Sequence, residues 1–259
     1  MHDTAIVNYH IKRAEPQAFR FDVDGIAGNL VSPELVARKV AVEDMRSSAA
    51  PNFDTDSVTF EFNASSVKNF SDRIEWQATY NEELRVLLER TIGAIEVIVF
   101  DHTVRIDDAD AVRKPARNVH TDYSTAGAKN RLIDIVGDVR ARAFEHGHYG
   151  FVNVWRPVEN TIQTSPLGFI RPSSMQAEDW MTIELIYPDR IGQILGVAAN
   201  PDHQWFYLSA MTPDEVAIFN IYDNRGRAFL GHSALDICST SNPSAPRKSI
   251  ESRTLVRYG

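Results

Sequence analysis

Cysteine is almost absent from the 259-residue sequence, since Cys238 is the only one. A single cysteine cannot form a disulfide within the chain, and it excludes zinc sites that are built from several thiolates. Basic residues are also in the minority, because 27 lysines and arginines stand against 35 aspartates and glutamates, a formal net charge of −8. Since general binding to a phosphate backbone needs clustered positive charge, we expect no nucleic acid partner.

Long apolar runs are missing as well. No stretch approaches the roughly 20 apolar residues that span a bilayer, and residues 1–20 contain no signal-peptide core. We therefore expect no membrane association and a cytoplasmic location. The hydrophobic fraction of 43% and the charged fraction of 24% are typical of a globular protein.

The apolar residues that are present predict a few helices. Leucines at helical spacing predict a helix over Tyr80–Thr91 that ends at Gly93. A second helix is expected over Asn130–Glu145, and residues 33–47 suggest a short one.

Short β-branched and aromatic segments predict strands over much of the remaining chain. They are Ile95–Phe100, Phe151–Trp155, Ile194–Ala198, Trp205–Leu208, Glu215–Tyr222, Ala228–Gly231 and Ser249–Arg257. Clusters of Pro, Gly, Asn and Asp separate most of these segments. Many short strands with polar turns between them predict an antiparallel sandwich, barrel or jelly roll, with helices packed on one side.

One His-x-Asp motif, His120-Thr121-Asp122, stands out among the eight histidines. If the motif lies in a strand, both side chains point to the same face and can present a nitrogen and an oxygen to one metal ion. Two histidines and one carboxylate form the facial triad of non-heme Fe(II) oxygenases. One copy of the motif is expected by chance in a chain of this composition, so a further ligand is needed. His232, at the end of a predicted strand, is the candidate for the second histidine.

Arg247-Lys248-Ser249 opens the last predicted strand. On one face of a strand, the guanidinium and the hydroxyl could grip one end of a dicarboxylate, because the planar fork of arginine binds a carboxylate through two hydrogen bonds. The same pattern occurs at Arg46–Ser48 and Arg171–Ser173, so only its place after His232 distinguishes this copy. Arg156 is a further candidate for a carboxylate of a substrate or cosubstrate, or for a pair with an acidic loop residue.

A set of motifs in one order, between about residues 95 and 257, carries a family resemblance. The motifs are Phe100–Arg105, Val119–Ser124, Asn153–Pro157, Ser165–Leu167, Asn200–Trp205, Pro213–Val216, Tyr222-Asp223 and Pro246–Arg253. Together they resemble the Fe(II)/2-oxoglutarate-dependent dioxygenases. Within that class they are similar to the cephamycin 7α-methoxylase small subunits (the CmcJ type) and the fungal AsaB/NvfI-like hydroxylase/desaturases. The N-terminal part resembles the family only loosely, through Val7-Asn8-Tyr9.

The resemblance implies a mainly β fold with flanking helices, the double-stranded β-helix, which is a cupin-like jelly roll. It implies one dioxygenase domain over residues 1–259. In this domain residues 1–94 would be mixed helices and strands that pack on the core, and residues 95–259 would form the jelly roll.

The resemblance also implies the site. It implies three iron ligands: His120, Asp122 and His232. Arg247 would anchor 2-oxoglutarate with Ser249 as its helper. Arg253 is a second candidate for the anchor, or it could neutralise Glu251, since alternating residues of one strand share a face.

The implied cofactor is Fe(II), with 2-oxoglutarate and O2 as cosubstrates. The implied reaction oxidises a small-molecule intermediate of secondary metabolism by hydroxylation, desaturation or endoperoxide formation, with release of succinate and CO2. A non-catalytic jelly-roll binding protein, an accessory subunit of a two-component oxygenase and a metal hydrolase are the alternatives, and a homodimer is compatible with the fold. We expect four other histidines to be structural: His102, His146, His148 and His203.

Overall fold

The computed structural model describes residues 2–26, 29–70, 74–239 and 245–259, and strands dominate it. The strands are β1 His2–His10, β2 Gln17–Phe21, β3 Leu30–Val31, β4 Leu35–Asp44, β5 Val58–Phe62, β6 Ala94–Ile106, β7 His120–Thr121, β8 His148–Pro157, β9 Leu167–Ile170, β10 Trp180–Ile186, β11 Ile191–Val197, β12 Trp205–Tyr207, β13 Glu215–Asp223, β14 His232–Ala234, β15 Asp236–Ile237 and β16 Lys248–Tyr258. The α-helices are α1 Phe53–Asp56, α2 Gln77–Ile92 and α3 Thr125–His146.

The strands form two sheets. The larger sheet has eleven strands in the order β15-β1-β4-β12-β9-β14-β7-β11-β10-β2-β3, and the smaller sheet has five in the order β5-β13-β8-β16-β6. Pairing is antiparallel except between β4 and β12 and between β2 and β10. The N-terminal strands are part of both sheets, because β1 and β4 lie in the larger one and β5 lies at the edge of the smaller one.

The main core lies between the two sheets. Phe169 of β9 and Phe219 of β13 meet there with ring centroids 5.2 Å apart. Side chains of β8 alternate between two environments, since Phe151 and Trp155 face this core while Val152 and Val154 face a second core under α2. The inner face of the smaller sheet therefore looks toward the larger sheet, and its outer face is covered by a helix.

Both longer predicted helices are confirmed. The leucines of α2 are fully buried, and the helix ends at Gly93, whose φ of 68° is the left-handed conformation that glycine adopts easily. α3 begins earlier than predicted, because the Ser124 side chain accepts a hydrogen bond from the backbone of Gly127 and caps the first turn. Gly137, with φ of 76°, interrupts α3 in its middle. No helix in the described ranges is long and apolar enough to span a membrane.

Two of the local predictions are wrong. Most of residues 33–47 form strand β4, and the only helical part is the 3-10 helix Met45–Ser47 that follows it, because β4 pairs with β1 along the whole length of β1 and this pairing overrides local helix propensity. Ala228–Gly231 is not a strand, since its chain only leads into β14. His232 consequently stands at the start of a strand and not at the end of one.

Candidate active site

Two histidines face each other on neighbouring strands. His120 begins β7 and His232 begins β14, and the two are direct cross-strand partners with ring centroids 4.5 Å apart. His120 Nδ1 lies 2.8 Å from the carbonyl oxygen of Asn118. His232 Nδ1 lies 3.1 Å from the carbonyl oxygen of Leu230. Because a carbonyl oxygen only accepts, both Nδ1 atoms carry the proton and both Nε2 atoms keep a free lone pair.

Asp122 adds a carboxylate beside the two rings. Its Oδ1 atom lies 3.6 Å from His120 Nε2. Its Oδ2 atom accepts a hydrogen bond of 2.9 Å from Asn153 Nδ2 and another of 2.9 Å from Arg253 Nε. Burial is the largest single influence and disfavours the ionised form, but the charge of Arg253 and the contributions of His120 and His232 together outweigh it and hold the pKa of Asp122 well below its usual range.

The three side chains fit a metal ion. One ligand atom from each of His120, Asp122 and His232 lies within 4.8 Å of the other two. No other set of three histidine, cysteine, aspartate or glutamate side chains converges in this way among the residues that the structure describes. Two imidazole nitrogens and one carboxylate oxygen suit Fe(II) and leave further coordination positions open. This donor set therefore fits the iron that the sequence resemblance implies.

A cavity adjoins these ligand atoms and extends toward the start of β16. It encloses about 320 Å³, which includes its opening to solvent. Its walls include Arg105, Trp155, Arg247 and Glu251 in addition to the two facing histidines. The cavity thus joins the metal-binding atoms to a group of arginines.

Arg247 is a buried cation that forms no ion pair with a carboxylate of the described residues. Its Nη2 atom donates to Ser249 Oγ at 3.1 Å and its Nη1 atom donates to the carbonyl oxygen of Ser165, whereas Nε has no partner. The guanidinium carbon lies 5.1 Å from the ring centroid of Trp155. Burial, together with the charge of nearby Arg105, lowers the pKa of Arg247 to about 9. A buried cation without a counter-ion is unfavourable, so this end of the cavity favours an anionic ligand.

Arg253 of β16 points to the same side as Arg247, which directly precedes this strand, but Arg253 is already paired. Its Nε atom binds Asp122, and its Nη1 atom lies 2.6 Å from Asp101 Oδ2. Its Nη2 atom lies 2.6 Å from Glu251 Oε1. All three nitrogen atoms therefore face carboxylates, and the guanidinium offers no free fork to a dicarboxylate.

Arg156 is not brought to the cavity. It follows Trp155 in β8, and because side chains alternate along a strand it points to the outer face of the smaller sheet. There its guanidinium carbon lies 5.2 Å from the ring centroid of Tyr80 in α2. Its Nη1 atom donates to the carbonyl oxygen of Pro213 at 3.5 Å, while Nε and Nη2 have no hydrogen-bond partner. The sheet separates this arginine from the metal-binding atoms.

Three residues that line the cavity or hold a candidate ligand were not predicted as site residues. Arg105 and Trp155 line the cavity, and Asn153 holds Asp122. All three lie within motifs that carried the family resemblance. Strand pairing is the missing signal, because the pairing of β16 with β8 places Asn153 opposite Arg253 and Trp155 opposite Glu251.

Other histidines expected to be structural have ordinary surroundings. His102 contacts Ser252 Oγ through Nδ1 and Asn81 Oδ1 through Nε2, each at 2.8 Å, on the outer face of the smaller sheet. His148 Nε2 lies 2.8 Å from Asp223 Oδ2, and His146 is exposed at the end of α3. None of these three lies in the candidate active site.

Comparisons with known proteins identify the family of the chain. A family model described as "Oxidoreductase/YMDC permease-like domain" matches residues 7–257. Hydroxylase/desaturase efuI of Hormonema carpetanum is 32% identical over 249 residues, which cover 84% of this chain and 82% of that protein. Alpha-ketoglutarate-dependent dioxygenase phiK of a fungal species is 29% identical over 238 residues, which cover 85% of this chain and 84% of that protein.

A solved structure has a similar fold. The iron and alpha-ketoglutarate-dependent endoperoxidase NvfI matches with a TM-score of 0.85 and 21% sequence identity, over 100% of this chain and 98% of that chain. The match confirms the mainly β, cupin-like jelly roll predicted from the sequence. With the family model and the relatives, it shows that the chain belongs to the Fe(II)/2-oxoglutarate-dependent dioxygenases related to the fungal hydroxylase/desaturases.

Proposed function

We propose that the chain acts as one domain over residues 1–259 and oxidises a small-molecule intermediate of secondary metabolism. Its iron ligands would be His120, Asp122 and His232. The observation that carries this assignment is the convergence of two proton-free Nε2 atoms and one carboxylate oxygen within 4.8 Å. Such a set holds a metal on one side and leaves the opposite positions for other ligands.

The distal carboxylate of 2-oxoglutarate would bind at Arg247. This arginine is buried, lines the same cavity as the two histidines and has no carboxylate partner in the described part of the chain. Ser249 accepts a hydrogen bond from Arg247, which leaves its own hydroxyl hydrogen free to donate to the ligand. A dicarboxylate would supply the missing negative charge, so its binding would remove the cost of the unpaired cation.

The residues around the candidate metal site would orient the metal ligands and shield the cavity from water. When bound, Fe(II) with 2-oxoglutarate and O2 would supply the oxidising power for attack on an unactivated C–H bond of the substrate, and 2-oxoglutarate would be converted to succinate and CO2. Asn118 and Leu230 fix the histidine tautomers through their carbonyl oxygens. Trp155 closes the wall beneath Arg247. Hydroxylation, desaturation and endoperoxide formation would use the same ligands and differ in where the substrate carbon is held.

Titration with Co(II) tests the metal site without relying on turnover. Co(II) binds to nitrogen and oxygen ligands like Fe(II), and its visible absorption reports the ligand set. We expect the His120→Ala and Asp122→Ala variants to bind Co(II) at least about 100-fold more weakly than the unchanged protein. The exposed His146 provides a matched control, and the His146→Ala variant should bind Co(II) like the unchanged protein. Unchanged Co(II) binding in the first two variants would contradict the assignment.

Titration of the Co(II)-loaded protein with 2-oxoglutarate tests the anchor. We expect the Arg247→Met variant to raise the dissociation constant of 2-oxoglutarate by about 100-fold, because a charge-assisted bidentate contact is lost. Its Co(II) dissociation constant should change by less than about threefold, because Arg247 contacts no metal ligand. An unaltered 2-oxoglutarate affinity would remove Arg247 from the binding site.

A further inference from the structure

Three carboxylates surround the guanidinium of Arg253, although only one of them belongs to the proposed ligand set. Nε donates to Asp122 Oδ2 at 2.9 Å. Nη1 lies 2.6 Å from Asp101 Oδ2, and Nη2 lies 2.6 Å from Glu251 Oε1. One planar cation thus donates hydrogen bonds to one oxygen of Asp122 and one of Asp101, and it forms an ion pair with one oxygen of Glu251.

The contact with Asp122 selects which of its oxygens can bind a metal. Arg253 and Asn153 both donate to Oδ2, so this atom is occupied by two hydrogen bonds. Oδ1 is the atom near His120 Nε2, at 3.6 Å. Rotation of the carboxylate would break both hydrogen bonds, and the ligating orientation is therefore held by two independent donors.

The contact with Glu251 restrains a potential competitor. Glu251 is buried and lines the same cavity as His120 and His232. A free carboxylate at this place would be a ligand for Fe(II) and would compete for the positions that 2-oxoglutarate needs. Its pairing with Arg253 holds one of its oxygens on β16.

A β-bulge brings the third carboxylate to the same guanidinium. Along the pairing of β16 with β6, Arg253 lies opposite Asp101 and the next residue, Thr254, lies opposite Val99. Phe100 is the extra residue. It packs on Phe151 in the inner core, so Phe100 and Asp101 both point inward although they are consecutive. Bulges re-aim side chains in this way beside functional sites.

We propose that Arg253 is a positioning residue of the iron site, which holds the Asp122 carboxylate in its ligating orientation and keeps Glu251 away from the metal. The inference rests on the proposed function, since it takes Asp122 as an iron ligand. It also gives Arg253 of β16 a role distinct from that of Arg247, which is buried and directly precedes this strand.

Co(II) titration tests the first half of the proposal. The Arg253→Met variant should raise the Co(II) dissociation constant by roughly 10- to 100-fold and should alter the visible absorption of the bound metal. The Asn153→Ala variant removes the other donor to Oδ2 without a change of charge, and it should weaken Co(II) binding by roughly tenfold or less. Arg171→Met, which removes an arginine that pairs with Glu43 and does not line this cavity, is the matched control and should leave the Co(II) dissociation constant and the absorption unchanged.

Binding of 2-oxoglutarate to the Co(II)-loaded variants tests the second half. The Arg253→Met variant should bind 2-oxoglutarate roughly tenfold more weakly, because the released Glu251 competes for the metal. The double variant Arg253→Met/Glu251→Gln should recover most of the lost affinity. If Arg253 itself anchored 2-oxoglutarate, the double variant would bind it as poorly as the single variant, and the proposal would be overturned on this point.

The outcomes separate this inference from the proposed function. Co(II) binding that is unchanged by Asp122→Ala would refute the ligand set itself. Co(II) binding that is lost in Asp122→Ala but normal in both Arg253→Met and Asn153→Ala would refute only the positioning role. Urea unfolding of the metal-free variants shows whether each one is folded, and Asn153→Ala supplies the test of orientation if Arg253→Met is not.

Discussion

Two buried clusters in this protein use the same residue types for opposite purposes. The candidate metal-ligand cluster consists of His120, Asp122 and His232. The N-terminal cluster lies around Tyr9 of β1 and also contains Asp179, His203 and Trp205. Each cluster combines histidine with a carboxylate.

In the N-terminal cluster every donor meets an acceptor. Trp205 Nε1 donates to Tyr9 Oη at 2.8 Å, and the Tyr9 hydroxyl donates in turn to His203 Nδ1 at 3.0 Å. His203 Nε2 then donates to Asp179 Oδ2 at 3.1 Å. Burial lowers the pKa of His203, which keeps its ring neutral as this chain of hydrogen bonds requires.

In the candidate metal-ligand cluster the acceptors face one another instead. One ligand atom from each of the three side chains lies within 4.8 Å of the other two, and both Nδ1 atoms are already taken by carbonyl oxygens. Protein interiors rarely leave acceptors opposed in this way without a cation or a proton. The partners of the ring nitrogens therefore separate a structural histidine from a metal ligand more clearly than the histidine's burial does.

The largest expected effects come from removing one histidine from each cluster in separate variants. His232→Ala should weaken Co(II) binding at least about 100-fold and should change the unfolding free energy of the metal-free protein little. His203→Ala should leave Co(II) affinity within about twofold but destabilise the fold by about 2–4 kcal/mol, since Tyr9 and Asp179 lose buried partners. Co(II) titration and urea unfolding of both variants provide the two readouts. A His203→Ala protein of normal stability and poor Co(II) affinity would reverse the distinction.

Two arginines also differ in this way, since one lines the cavity without a carboxylate partner among the described residues and the other is paired with a glutamate. Arg105 lines the cavity and donates to the carbonyl oxygen of Lys114, and burial lowers its pKa. Arg171 is paired with Glu43 at 2.7 Å and lies over the ring of Phe206. We expect Arg105→Met to raise the dissociation constant of 2-oxoglutarate by roughly tenfold through the loss of positive charge near the ligand. Arg171→Met should leave this constant unchanged in the same titration, and equal effects of the two variants would contradict the contrast.

Much of the fold could be predicted because its strands carry strong local signals. β8, β13 and β16 are rich in β-branched and aromatic residues, and turn residues bound most of them. The failure at β4 has a physical cause. Its segment contains Leu, Ala, Arg, Lys and Glu, which favour helices, and only the distant β1 provides the pairing that makes it a strand.

The sequence predicts which side chains of one strand share a face, but it does not predict which residues of neighbouring strands lie opposite each other. Alternation correctly placed Ser249 and Arg253 of β16 on the same side as Arg247, which directly precedes the strand. The opposition of Arg253 and Asp101 depends on the register of β6 and on its bulge, which local sequence does not specify. The prediction that Arg156 binds a carboxylate in the site has a related problem. Arg156 follows the inward-facing Trp155 in β8, so its side chain points to the outer face of the sheet.

Removal of the Tyr9 hydroxyl tests whether the N-terminal cluster stabilises the fold without affecting the metal site. Tyr9→Phe deletes the link between Trp205 and His203 but keeps the ring, which stacks on His203 with centroids 5.5 Å apart. We expect destabilisation of about 1–2 kcal/mol in urea unfolding, because one acceptor and one donor lose their partner. Affinities for Co(II) and 2-oxoglutarate should not change. A loss of Co(II) affinity would show that the N-terminal cluster supports the metal site.

Acid stability gives the smallest expected effect. Burial lowers the pKa of His102 to about 4, although the charge of Asp101 opposes this shift. Between that value and the ordinary histidine pKa near 6.5, the unfolded chain binds a proton that the folded chain does not. The contribution of neutral His102 is therefore complete above about pH 6.5 and is lost as the pH falls toward 4. In the metal-free protein, His102→Gln should reduce the loss of unfolding free energy between pH 7 and pH 5 by about 1 kcal/mol, a figure discounted for partial exposure. An identical loss in both proteins would show that the Ser252 and Asn81 contacts leave His102 free to take up a proton without cost.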